Sequence, residues 1–370
     1  YGDVGANTWQ RIAKTMPELE LPYLNGLGLS RLVPQFAARK KIGTGLPCYT
    51  ARMAELSKGK DTITGHWELC GIITEEPSPT FPNGFPEELL QQIYEKTGVT
   101  FLGNEVASGT EIIARLGDAH VRTGKPILYT SADSVLQIAA HEDVISVPEL
   151  YRICQAARDL TRSGPYKVGR VIARPFVGVS GAYRRTANRH DFALTVPSHN
   201  LLQDLLVQGQ QVWAVGKIQD IFAGTAFNQA VHTSSNEDGM VRTMELYQQL
   251  QQGLLFVNLV DFDMKYGHRR DIVGYGKALA AFDGQLGQLL QQLDEETLLI
   301  ITADHGCDPG YNGTDHTREY VPLLLCGHMV KANDAVDTRS SFADLAATLA
   351  DYFAITYTGA GTSFAKEVFR

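Results

Sequence analysis

Two short apolar runs in the second half of the chain are each followed by an aspartate and a histidine. The runs cover residues 254–260 and 298–302. The polar residues that follow them are Asp263 and His268 after the first, and Asp304 and His305 after the second. A short continuous apolar run is typical of a central strand in a parallel sheet, and functional groups in such sheets collect at the carboxyl ends of the strands. The pattern therefore favours a sheet whose strand ends bring these side chains together.

Strand and helix signals alternate from residue 211 onward. Strand-like apolar runs cover residues 211–215, 254–260, 298–302 and 321–326. Apolar residues three and four positions apart, the helical spacing, mark residues 240–251, 273–293 and 342–353. This alternation is typical of βαβ units. We therefore predict an α/β fold with a doubly wound core sheet.

A proline-dense stretch at residues 75–86 can continue neither a helix nor a central strand, so it predicts a domain boundary. Beyond it the pattern predicts a helix from Glu87, a helix opened by the capping box Ser108 to Glu111, a strand at 127–130, a helix at 148–162 and a strand at 168–176. A second boundary is expected near residues 189–198. We predict a core built from residues 1–77 and 194–370, with an inserted α+β domain at 78–193.

Composition excludes several classes of protein. The 33 basic and 41 acidic side chains give a net charge of −8, whereas nucleic-acid binding requires a basic surface. No apolar stretch is long enough to cross a bilayer. The five cysteines are scattered without a CxxC pair, which argues against a disulfide framework and a thiolate zinc site. We expect a cytoplasmic protein with a small-molecule substrate and neither nucleic acid nor membrane as a partner.

The candidate metal ligands form a mixed set of oxygen and nitrogen donors: Asp263, His268, Asp304, His305 and His316. Such a set suits Mn²⁺, Zn²⁺ or Fe²⁺. Five ligands are too many for one catalytic metal that keeps an open position, whereas a pair of metals would use them all. Metal pairs stabilise the attacking and leaving oxygens of phosphoryl transfer. A single aspartate after a strand is more often a helix cap, but the repetition after two strands favours a metal site.

Three segments, residues 263–270, 302–308 and 313–319, resemble the metal-binding motifs of phosphopentomutases, which are members of the alkaline phosphatase superfamily. Further segments resemble that family's characteristic blocks in the same order: 60–68, 129–135, 169–176 and 188–191. The resemblance implies an alkaline-phosphatase-like core with an inserted cap domain. It also implies an isomerase, an intramolecular phosphotransferase that interconverts ribose 1-phosphate and ribose 5-phosphate and likewise the 2-deoxyribose pair.

The resemblance assigns roles to individual residues. It implies two Mn²⁺ ions per chain, one held by Asp263, His268 and His316 and the other by Asp304 and His305. Thr62 matches the threonine that carries the phosphoryl group, although Thr64 lies two positions away and spacing alone does not choose between them. The matching substrate contacts are Ser131, Arg170, Arg185 and Lys217. Three of these fall in the inserted domain, whose closure would exclude water.

The chain departs from the family at its first residues. Phosphopentomutases open with an apolar strand that ends in an aspartate ligand of the second metal, followed by a segment that resembles residues 2–8 here. Asp3 does not match that ligand. We therefore expect the first core strand to be missing from this sequence and the second metal site to be incomplete. Two alternatives remain open: a phosphatase or phosphodiesterase of the same superfamily, which would release phosphate to water, and an inactive truncated relic.

Overall fold

The computed structural model describes residues 2–76, 79–131, 134–333 and 335–370. The chain forms two compact units, the first made of Tyr1–Glu76 and Pro197–Arg370 and the second of Pro77–Val196. The predicted boundary between residues 77 and 78 falls outside the described residues. The assignment of a core domain and a cap domain stays a prediction.

The described strands are short and spread over the whole chain. They are β1 (Cys48–Met53), β2 (Leu102–Val106), β3 (Ile127–Thr130), β4 (Val135–His141), β5 (Arg170–Val177), β6 (Arg184–Arg185), β7 (His190–Ala193), β8 (Gln211–Val215), β9 (Gln229–Val231), β10 (Gly253–Val257), β11 (Leu299–Ile301), β12 (Val321–Cys326) and β13 (Asp337–Arg339). The four strands predicted after residue 211 correspond to β8, β10, β11 and β12.

The described α-helices lie between and around these strands. They are α1 (Thr8–Thr15), α2 (Pro22–Gly26), α3 (Leu29–Leu32), α4 (Thr62–Leu69), α5 (Glu87–Thr97), α6 (Gly109–Thr123), α7 (Val147–Leu160), α8 (Leu201–Val207), α9 (Ile218–Ile221), α10 (Asn236–Tyr247), α11 (Ile272–Leu290), α12 (Ala343–Tyr352) and α13 (Ala365–Val368). Short 3₁₀ turns cover Pro34–Phe36 and Gly164–Tyr166, and a π-helical turn covers Phe262–Gly267. Among the described residues, no helix combines the length and the apolar character needed to cross a membrane.

Polar residues fix where several helices begin. The side chain of Asn7 accepts a hydrogen bond from the Gln10 amide at the start of α1, and Ser108 accepts one from the Glu111 amide at the start of α6. Each of these caps satisfies an amide that has no partner inside the helix. The helix start predicted at Ser108 is thus confirmed.

The first unit contains two separate sheets. One has the strand order β11-β12-β1-β13, and the other has the order β10-β8-β9 with all strands parallel. β11 lies at the edge of the first sheet and runs antiparallel to β12. The expectation that this apolar run is a central strand of a parallel sheet is therefore wrong, although the α/β class is correct. An apolar run records burial but carries no information about the direction of the neighbouring strand.

A cavity of about 1320 Å³ lies within the first unit. It is lined along its length by residues 251–260 around β10 and residues 296–307 around β11. Within the described part of the chain, β10 pairs only with β8 and β11 pairs only with β12, so each strand has one open edge. Strand edges with unpaired N–H and C=O groups are ready to accept a further strand.

The second unit is built on one mixed sheet with the order β2-β3-β4-β5-β6, and β7 also pairs with β5. Helices α5 and α7 cover one face, where Leu89, Ile93 and Ile153 are buried against residues of β4 and β5. Helix α6 covers the other face, where Ile112 packs with Tyr129 and Phe176. The unit therefore has a hydrophobic core of its own on each side of its sheet.

We predict that Asp283→Ala destabilises the first unit. Asp283 of α11 is 2% exposed and accepts hydrogen bonds from the amides of Tyr23 at 3.2 Å and Leu24 at 2.7 Å, at the start of α2. Leaving such buried amides unpaired costs about 1–3 kcal/mol. Urea denaturation should show this loss, whereas Asp220→Ala, at an exposed position, should change stability by less than about 0.5 kcal/mol. Equal stabilities of the two variants would contradict the assignment.

Candidate metal centre and nucleophile

A π-helical turn places the first pair of candidate ligands. It follows β10, covers Phe262–Gly267, and closes with a hydrogen bond from the His268 amide to the Asp263 carbonyl oxygen at 3.0 Å. This wider turn brings the two side chains together, with Asp263 Oδ1 2.7 Å from His268 Nε2. π-helical turns are rare and occur often at functional sites, because they re-aim side chains.

His316 completes a group of three ligand atoms. Its Nε2 lies 3.6 Å from Asp263 Oδ1, and one ligand atom from each of Asp263, His268 and His316 lies within 4.8 Å of the others. In the described part of the chain, Asp263 Oδ1 and His316 Nε2 are buried without a hydrogen-bond partner of ordinary geometry. Unpaired buried polar atoms are costly, and a cation shared between converging ones would satisfy them. The three residues fit a divalent metal ion.

Backbone carbonyls set the tautomers of two histidines. His268 Nδ1 lies 2.6 Å from the Thr314 carbonyl oxygen, and His305 Nδ1 lies 3.1 Å from that of Gly306. Because a carbonyl oxygen only accepts, each Nδ1 carries a proton and donates it. In the neutral form of each ring, Nε2 then presents its lone pair. Metal-binding histidines are oriented by this kind of contact.

The second pair, Asp304 and His305, follows β11 directly. Asp304 Oδ2 lies 3.2 Å from His305 Nε2 and 3.0 Å from His66 Nδ1. The His305 ring stacks on the His316 ring with 3.7 Å between centroids. The two predicted pairs of ligands therefore adjoin, although β10 and β11 belong to separate sheets.

Thr62 is the first residue of α4 and lies beside the second pair. Its Oγ1 is 3.3 Å from His305 Nε2. The hydroxyl of Thr64 instead donates to Asp61 Oδ2 at 2.7 Å, and Thr64 is 5% exposed. The geometry supports Thr62 over Thr64 as the nucleophile, a choice that the sequence leaves open.

His66 and Asn258 were not predicted as site residues from the sequence. His66 contacts Asp304 as described, and the Asn258 side-chain amide lies 3.3 Å from His66 Nε2. Gly65 permits this arrangement, because a Cβ there would collide with the backbone of Asp304. The spacing of Thr62 and His66, four apart on one helical face, is the signal that could have identified His66.

The site stabilises ionised carboxylates. Burial alone would raise the pKa of Asp263, but His268 and His316 hold it well below its ordinary value. Burial acts in the same way on Asp304, whose pKa is lowered by His305 and His66. Burial lowers the pKa of His305, whereas Asp263 raises the pKa of His316 against the effect of burial. Ionised carboxylates and neutral imidazoles are the protonation states that bind metals.

Comparison with known proteins decides the family. Residues 10–357 match the model of the Metalloenzyme superfamily. The phosphopentomutase of Carboxydothermus hydrogenoformans is 52% identical over 368 residues, and that of Clostridium novyi is 50% identical over 368 residues. Both alignments cover 100% of this chain and 94% of the relative.

The chain belongs to the phosphopentomutase family. The predicted resemblance is confirmed, and with it the prediction of an isomerase that acts on pentose phosphates. Among solved structures, one from Pyrococcus horikoshii covers 94% of this chain at 13% identity with a TM-score of 0.44. That likeness is too weak to support an argument about the site.

The four predicted substrate contacts of this phosphopentomutase family member lie in both units. Lys217 belongs to the first unit and lines the same cavity as Thr62 and Asp304. The others belong to the second unit: Ser131, Arg170 and Arg185. Arg170 lies 3.5 Å from Asp191, and Arg185 is exposed on β6. Their contact with a substrate stays a prediction.

We predict that His268→Ala and His316→Ala each weaken Mn²⁺ binding by at least about 10-fold, because each removes one lone pair from the three-ligand group. Calorimetric titration of the purified protein with Mn²⁺ measures the effect. His232→Ala is the matched control, since His232 has a side chain 63% exposed and belongs to no such group. Unchanged affinity in both ligand variants would show that Mn²⁺ binds elsewhere.

Proposed function

We propose that this chain interconverts ribose 1-phosphate and ribose 5-phosphate, and likewise the 2-deoxyribose pair, through a phosphoryl group carried on Thr62. The observation that carries the proposal is the position of Thr62 Oγ1, 3.3 Å from His305 Nε2 at the edge of the candidate metal centre. Family membership supports the substrate class. This hydroxyl, at the start of α4, faces the predicted ligands of the second metal.

The proposed cofactor is a pair of Mn²⁺ ions. Asp263, His268 and His316 would hold one ion, and Asp304 and His305 would hold the second beside Thr62. Bound there, the ions supply positive charge that stabilises the threonine alkoxide and the transferring phosphoryl group. The cavity between the open edges of β10 and β11 is lined by Asp304.

The proposed reaction uses two phosphoryl transfers. Phosphorylated Thr62 gives its phosphoryl group to the free hydroxyl of the bound pentose phosphate, so the bond from phosphorus to Oγ1 breaks and a bond to the sugar oxygen forms. The product is a pentose 1,5-bisphosphate. The other phosphoryl group then returns to Thr62, which regenerates the phosphoenzyme and releases the isomer. No phosphate is lost to water in a complete cycle.

Cationic side chains would bind the phosphate that is not transferring. The planar guanidinium groups of Arg170 and Arg185 match the geometry of a phosphate, and Lys217 adds a point charge. Ser131 would contact a sugar hydroxyl. Lys217 already lines the cavity that contains Thr62, which supports its role.

The family match favours the mutase over the phosphatase or phosphodiesterase alternative, because the relatives named above are phosphopentomutases. The inactive relic is tested by titration. Two tight Mn²⁺ equivalents in the purified 370-residue chain, together with conversion of ribose 1-phosphate to ribose 5-phosphate, would exclude it.

We predict that Thr62→Ala lowers turnover by roughly 10³-fold or more, because the variant lacks the hydroxyl beside His305 and the hydroxyl of Thr64 is bound to Asp61. Mn²⁺ affinity should stay within about 3-fold of wild type, since the three-ligand group is untouched. Intact-mass analysis should show the phosphorylated form in wild type and not in the variant.

Thr64→Ser is the matched control for this experiment. It keeps the hydroxyl that donates to Asp61 and should retain turnover and phosphorylation. Full mutase activity in Thr62→Ala would refute the assignment, and loss of activity in a Thr64→Ala variant alone would move the nucleophile to Thr64.

We predict that Arg185→Ala raises the KM for ribose 5-phosphate by about 10- to 100-fold, which corresponds to the loss of a charge-assisted hydrogen bond. Arg184→Ala is the control, because Arg184 precedes Arg185 on β6 and its side chain points to the opposite face of the strand. Steady-state kinetics of both variants decides the matter. Equal KM values for the two variants would show that Arg185 does not bind the substrate.

A further inference from the structure

Residues 54–61 form the loop between β1 and α4, and Thr62 is the first residue after this loop. It has no regular secondary structure, so its backbone needs partners from elsewhere. Glu68 of α4, which is fully buried, accepts from the amides of Leu56 at 2.8 Å and Ser57 at 2.7 Å. The amides of Leu56 and Ser57 are thus bound by a side chain of the same helix that carries Thr62.

The carbonyl oxygens of the loop converge on one guanidinium group. Arg318 donates to the carbonyl oxygens of Gly59 at 2.6 Å and Ser57 at 2.7 Å, and also to that of Glu55. It further lies 3.2 Å from the carboxylate of Glu55, which is 8% exposed. A guanidinium offers five N–H donors in a rigid plane, and so it can hold several acceptors at once.

Arg318 belongs to the loop that carries a candidate metal ligand. His316 lies two residues before it, and the Arg318 amide donates to Asp3 Oδ2 at 3.1 Å. Lys60 makes a parallel link, since its Nζ lies 3.1 Å from Asp315 and 3.2 Å from Asp3. The loop before the nucleophile and the loop that carries His316 are therefore joined by cationic side chains.

We propose that Arg318 is a positioning residue for phosphoryl transfer. Arg318 fixes the loop of residues 54–61, and hence Thr62, relative to the loop that carries His316. This role rests on the proposed function of Thr62. The described contacts of Arg318 are with the loop of residues 54–61 and with Asp3. Its effect on the reaction passes through the backbone of residues 55–59, where a displacement near 1 Å at the nucleophile costs about 100-fold in rate.

Arg318→Lys in the full-length protein tests the proposal. A lysine keeps the charge but cannot hold three carbonyl oxygens in one plane. We expect kcat to fall by about 10- to 100-fold, with the KM for ribose 1-phosphate and the Mn²⁺ affinity within about 2-fold of wild type. Hydrogen exchange of the amides at residues 55–61 should accelerate by about 10-fold. Arg242→Lys, an exposed arginine on α10, is the control and should change none of these quantities.

The possible outcomes distinguish a failure of this proposal from a failure of the proposed function. An active wild type with kcat unchanged in Arg318→Lys overturns the positioning role alone. Equal losses of kcat and Mn²⁺ affinity also overturn it, because they would indicate general disruption of the metal centre. A wild-type protein that neither isomerises ribose 1-phosphate nor carries phosphate on Thr62 overturns the function of Thr62 first. In that case, unchanged exchange at residues 55–61 in Arg318→Lys would overturn the structural role of Arg318 as well.

Discussion

The convergence of Asp263 with two histidines is the constraint on which the rest of the site depends. A carboxylate oxygen and two ring nitrogens meet within a few ångströms, with His316 buried and Asp263 and His268 half-buried. Such a group is unfavourable without a compensating charge, because the interior does not solvate ions as water does. Its persistence requires rigid supports on every side. The π-helical turn, the Thr314 carbonyl and the long loop after β11 supply them.

The loop after β11 is itself held from the first helix of the chain. Thr8 donates from its amide and its hydroxyl to Glu319, each at 2.8 Å, and accepts from the Cys307 amide at 3.1 Å. Arg11 pairs with Asp308 at 3.2 Å. Residues more than 290 positions apart thus define one surface of the site. Burial raises the pKa of Glu319, and the hydrogen bonds that Glu319 accepts lower it. These hydrogen bonds therefore favour the ionised carboxylate that holds the loop.

Many of the helices and strands around the site could be predicted from the sequence, because the spacing of apolar residues reflects which side chains are buried. The apolar runs of β8, β10, β11 and β12 and the helical spacing of α10, α11 and α12 record burial directly, and polar residues after two strands predicted the ligand pairs. The direction of β11 could not be predicted, because burial does not specify a strand's partner. His66 was missed because its contact with Asp304 depends on how closely α4 approaches β11, which Gly65 allows. The spacing of Thr62 and His66 places both on one face of α4, but it does not show which strand that face approaches.

Thr62 and Thr64 show how a helix cap can direct one hydroxyl, rather than its neighbour, toward a candidate site. Asp61 caps α4 by accepting from the amides of Ile63 and Thr64 at 3.0 and 3.1 Å with one oxygen. Its other oxygen accepts the hydroxyl of Thr64 and withdraws that hydroxyl from the site. Thr62, at the first helical position, is too close to Asp61 along the chain to bond in the same way, so its hydroxyl remains directed at His305. The two threonines have the same chemistry, and the geometry of the cap distinguishes them. The residue that begins the helix therefore also determines which hydroxyl faces the metal ligands.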